Sequence, residues 1–110
     1  MKVIIVSPLE EPVISEIEHG LKPMQEIVGG HIQAVYPFED PVALICNEEG
    51  KLLGLPLNRA LHTETGEIYD IVAGTFLLCG APPDSDHFTD LTQEQVETLL
   101  HRFRRPELFL

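Results

Sequence analysis

Positive charge is scarce in this sequence: seven lysines and arginines stand against 18 aspartates and glutamates in 110 residues, for a formal net charge of −11. Such a balance opposes attraction to a phosphate backbone, so direct nucleic-acid binding is not expected. Long apolar runs are also lacking. The longest, Val3 to Val6 and Val42 to Cys46, fall far short of the roughly 20 residues that a membrane-spanning helix needs, and no membrane partner is expected. Beyond Met1-Lys2 and the run that follows, the chain meets Ser7-Pro8 and the pair Glu10-Glu11. That leaves no signal-peptide apolar region and points to the cytoplasm. Cysteine is limited to Cys46 and Cys79, both in apolar, strand-like segments and without metal-ligand spacing, which reads as buried free thiols and not as a disulfide framework.

Catalytic signatures are missing as well. There is no phosphate loop of the GxxxxGK type and no G-x-S-x-G elbow, and the three serines, Ser7, Ser15 and Ser85, have no activating base in their settings. The five histidines are scattered without the i, i+4 pair of a helical zinc site. Asp84, Asp86 and His87 form the only metal-like grouping, without further ligands at calcium-loop spacing. No metal and no cofactor is therefore expected. An enzyme is the less favoured class, confined to general acid–base chemistry by Asp or Glu.

What is present suffices for one core: a hydrophobic share of 44% in 110 residues fits a single domain over 1–110. The β-branched run Val3-Ile4-Ile5-Val6 reads as an interior strand, Val13 to Ile17 as a short second one, and Ile32 to Val35 and Val42 to Cys46 as two more. Leu21, Met24, Ile27 and Val28 follow helical spacing, with Pro23 in the first turn and Gly29-Gly30 as the stop. Asn47-Glu48-Glu49-Gly50 predicts a hairpin turn with Gly50 at positive φ and Lys51-Leu52-Leu53 returning antiparallel. Ile71 to Cys79 predicts one long strand through the middle of the sheet. The clearest helix covers about residues 92–104: Thr92 and Gln95 form a capping box, and Val96, Leu99, Leu100 and Phe103 share one face. Arg102, Arg104 and Arg105 fall at its C-terminal end, where cations complement the dipole, and Pro106 stops it. Without regular βαβ alternation, the expectation is an α+β fold, a mainly antiparallel sheet with two helices on one face.

The segment Gly54 to Leu61 breaks the alternating pattern and is the candidate ligand-binding site, with Gly54, Asn58 and Arg59 as its residues. Gly54 and Pro56 shape an irregular connection, Asn58 hydrogen-bonds locally, and Arg59 offers a fork of donors suited to carboxylate or phosphate. The structural alternative has Asn58 opening a helical turn and Arg59 pairing with one of the many acids.

Several stretches carry a resemblance: Met1 to Val6, Gln25 to Gly30, Cys46 to Leu52, Gly54 to Arg59 and Ile71 to Thr75. Together they are similar to the domain of unknown function 3846 family, over nearly the whole chain. The resemblance implies a standalone domain of bacteria, phages and other mobile elements, with no established activity or catalytic residues. Two function classes are open beside an enzyme. One is a binding module that captures a small anionic ligand or a host protein around Gly54 to Arg59, and the other is an acidic decoy that imitates DNA. A homodimer is also open.

Overall fold

Neighbouring residues along a strand face opposite ways, and here both faces of the sheet are covered. A computed structural model describes residues 1–109; Leu110, the last position of the expected 1–110 domain, lies outside the described residues. The elements follow as β1 (Lys2–Val6), β2 (Val13–Glu16), α1 (Leu21–Val28), β3 (Ile32–Val35), β4 (Val42–Asn47), β5 (Leu57–His62), β6 (Ile68–Ala73), β7 (Phe76–Gly80) and α2 (Gln93–Phe103). Five strands form an antiparallel sheet in the order β2-β1-β7-β4-β3, and β5 and β6 form a separate two-stranded one. The fold is α+β, as the sequence pattern indicates.

The period of two divides the sheet's interior. Ile4, Val6, Leu44, Phe76 and Leu78 pack on one face with Leu61, Val72, Val96, Leu99 and Phe103, from β5, β6 and α2. Val3, Ala43, Ile45, Leu77 and Cys79 pack on the other with Met24 and Val28 of α1. The helices therefore lie on opposite faces, not on one as expected. The reason is burial: β4 and β7 are buried at every position, so both of their faces need a cover. Cys46 and Cys79 are free and buried; burial pushes the Cys79 thiol up to about 12 and raises that of Cys46.

Three local expectations are corrected. Ile71 to Cys79 is not one strand but the end of β6 and all of β7, split at Gly74, whose φ of 83° no strand tolerates and whose missing Cβ would stand 2.8 Å from Leu55 Cδ1. β7 alone takes the central place. Lys51-Leu52-Leu53 does not return as a strand: the Leu53 amide donates to the Glu49 carbonyl and the Leu55 amide to that of Gly50, so the chain coils through successive turns and leaves Leu52 and Leu53 exposed. The positive φ belongs to Gly54, at 70°, and not to Gly50. Gly50 meets a different need, since a Cβ there would lie 2.8 Å from the Ala73 carbonyl oxygen.

The third concerns Gly54 to Leu61, which is no irregular loop from Leu57 onward but strand β5. Its register against β6 shifts between Leu57 and Arg59. A bulge there adds one residue, and that lets the neighbours Asn58 and Arg59 both turn inward.

The ends of the helices agree with their signals. Gly29 closes α1 in the left-handed conformation. Thr92 caps α2: its hydroxyl accepts from the Gln95 amide and the Gln95 side chain accepts from the Thr92 amide. Thr92→Ala is expected to cost roughly 1 kcal/mol, read from the denaturant midpoint; an unchanged midpoint would place the start of the helix elsewhere.

Candidate functional site

A guanidinium loses strong hydration when buried and must recover it from fixed acceptors. Arg59 is fully buried, and all five of its N–H donors are used. Nε and Nη2 donate to the Phe103 carbonyl at 3.2 and 3.0 Å, and Nη2 also to the Glu10 carbonyl at 2.7 Å. Nη1 donates to Asn58 Oδ1 at 2.8 Å and to the Asn58 carbonyl at 3.4 Å. Asn58, also fully buried, donates through Nδ2 to the carbonyls of Val6 and Gly74, both at 2.9 Å. The two side chains thus tie β5 to the end of β1, the turn before β2, the break between β6 and β7, and the last turn of α2.

Helix carbonyls at a C-terminus lack internal partners and carry partial negative charge. The sequence assigns that end of α2 to Arg102, Arg104 and Arg105, yet the cation that bonds the Phe103 carbonyl comes from β5. Burial draws the Arg59 pKa down and the nearby Glu107 carboxylate pushes it back up. Glu107 also accepts from the Ala60 amide.

Asn58 and Arg59 are therefore brought together, but inside. Gly54 is on the surface, in the turn before β5. Of the surface cavities described below, none is lined by Gly54, Asn58 or Arg59. In this fold Arg59 has no donor left for an external anion. Asp84, Asp86 and His87 are exposed, with the His87 ring 3.4 Å from Asp86, and among the described residues no group of three or more His, Cys, Asp or Glu is arranged to hold a metal.

The concave site lies elsewhere. A groove of about 650 Å³ opens between α2, the β3–β4 connection and the β5–β6 hairpin, within the size range of ligand sites. One wall carries Tyr36, Phe38, Glu39 and Asp40, another His62, Glu64 and Tyr69, and the helix side presents Thr98, Leu99 and Arg102. Behind the lining, the buried Phe103 stands edge-on to Phe76 and to the groove's Phe38, with centroids 5.6 and 6.1 Å apart. Arg102 lies over Phe38 with its guanidinium carbon 4.9 Å from the ring centroid. Tyr36 and Tyr69 remain 62% and 53% exposed, large areas for aromatic rings.

The ion pairs among the described residues are Met1 amino group with Glu16, Lys51 with Asp70, and Asp86 with His87. Glu39, Asp40, Glu64 and Arg102 belong to none of them. A smaller cavity of about 160 Å³ lies beside the Lys51–Asp70 pair and Cys46; the hydrogen bond from Lys51 holds Asp70 below the usual carboxylate range. A third, of about 320 Å³, follows the Pro82–Phe88 loop.

Sequence reasoning passed over the groove because its residues come from three separated segments and none forms a motif. The available signal was two tyrosines, each in or beside a strand end. Among the described residues no helix is long and apolar enough to cross a membrane. A family model for a domain of unknown function (DUF3846) matches residues 1–104. No curated protein and no solved structure matches the chain.

Proposed function

We propose that this chain, which belongs to the domain of unknown function 3846 family, is a binding module that captures a partner protein in the groove between α2, the β3–β4 connection and the β5–β6 hairpin. The observation that carries this reading is the exposure of Tyr36 and Tyr69 in a concave site whose wall also carries Phe38, backed by the buried Phe103. Tyrosines so placed offer large contact area at small entropic cost, which is why they dominate interface energetics.

A small anion is a poorer occupant. The rim holds three carboxylates, and its one guanidinium already rests on Phe38. The DNA-decoy reading draws on a different observation: of the 18 acidic side chains only Glu107 is not exposed.

Thr98 is exposed on α2 and faces the groove. Thr98→Trp is expected to fill the site and leave stability within about 0.5 kcal/mol, as surface substitutions do. In a pull-down from lysate of the encoding organism, the wild type should retain a partner that Thr98→Trp releases. Retention of the same partner by both proteins, with a steep loss as salt rises, would favour the decoy and sink the groove.

A further inference from the structure

Resting on that reading of the groove, we propose that its occupant is an arginine-bearing segment of a basic partner protein, with a guanidinium laid on the exposed tyrosine rings and paired with the rim carboxylates. The groove already demonstrates this chemistry internally. Arg102 rests its guanidinium on Phe38 at 4.9 Å and reaches the Phe103 ring at 5.8 Å, with no carboxylate partner among the described residues. The wall therefore accepts a planar cation on an aromatic face.

Two further aromatic faces in the same groove are unused. Tyr36 and Tyr69 enter no aromatic pair and no cation–π contact among the described residues, and each is more than half exposed. Acids flank them from two sides, Glu39 and Asp40 on one wall and Glu64 on the other, and none has an ion-pair partner among the described residues. Three carboxylates against one guanidinium leave the groove short of positive charge, which a cationic segment would supply.

Charge also selects among occupants. A second copy of this chain would bring another −11, and two bodies of like charge repel as they approach. A basic partner is drawn in instead, with electrostatics raising its association rate. Arginine suits the site better than lysine, because a guanidinium stacks on rings while an ammonium holds its water.

The test uses the full chain, isotope-labelled and followed by amide chemical shifts, at fixed ionic strength. Two synthetic glycine-spaced peptides of equal charge serve as probes, one carrying arginines and the other lysines. Shifts are expected to cluster at residues 36–40, 62–69 and 95–102, with the arginine peptide bound roughly threefold to fivefold more tightly. That preference should disappear in the double variant Tyr36→Ala, Tyr69→Ala, whose thermal midpoint serves as the folding control. Glu64→Gln should weaken both peptides alike.

Equal affinity for the two peptides, a preference that survives loss of both tyrosines, or no shift with either peptide overturns the arginine assignment. Shifts that map outside the groove, or that persist in Thr98→Trp, overturn the groove reading itself. Concentration-dependent self-association through these same residues would make a second copy the occupant and overturn the proposal.

Discussion

Arg59→Ala is expected to lower the unfolding free energy by roughly 3–5 kcal/mol, the range seen when one member of a buried charged network is removed. The truncation strands the Phe103 and Glu10 carbonyls and Asn58 Oδ1, each of which accepts only buried guanidinium donors in this network. It also opens a cavity where the largest fully buried side chain of the molecule stood. Against a total stability on the order of 5–15 kcal/mol, such a loss decides whether the chain folds at ambient temperature. Arg59→Lys keeps the charge and loses the fork, and an ammonium cannot reach acceptors on three sides at once, so a loss of roughly 2 kcal/mol is expected. Urea denaturation of the wild type and both variants measures this. A midpoint for Arg59→Ala close to that of the wild type would show the guanidinium to be dispensable inside, and would return it to the role of an anion contact.

Phe103→Ala should be nearly as costly, by about 3–5 kcal/mol. The ring is 3% exposed and touches Phe76, itself fully buried, on one side and Phe38 on the other. Its removal leaves a void beneath the end of α2 and takes away the edge that holds Phe38, and with Phe38 the platform under Arg102. The consequence is therefore double: lower stability and a loosened groove wall, visible as a reduced denaturation midpoint and as broadened amide signals around residues 36–40. Phe38→Ala removes only a half-buried ring and should cost appreciably less. If the two variants proved equally stable, the packing of α2 on the sheet would not run through Phe103.

The contrast between these residues shows what the sequence could disclose. Phe103 was legible because it recurs with Val96 and Leu99 at helical spacing after a capping box, and such signals are local. The stop of α1 at Gly29 was legible for the same reason. Arg59 was not. Apart from the adjacent Asn58, its partners lie 44 and 49 positions away, and they are main-chain carbonyls, which every residue possesses. Two adjacent polar residues turned inward also defeat the alternation by which a strand is recognised, because the bulge that permits it leaves no mark in composition. Gly74 lay hidden within an apolar run whose hydrophobicity continues across the break between β6 and β7. The groove was illegible for a third reason: Tyr36, Glu64, Tyr69 and Arg102 meet only after three segments have packed.

The placement of Arg59 also sets an order of events during synthesis. The β5–β6 hairpin is closed by neighbouring residues and can form while later parts of the chain are still within the ribosome. The guanidinium on that hairpin would still be in water at this stage, because the Phe103 carbonyl that receives two of its donors belongs to α2, which is translated some forty positions later. Until then, burying the hairpin against the sheet would leave two of the five guanidinium donors without an acceptor. The full set of acceptors for the buried guanidinium is therefore complete only once the helix has been made.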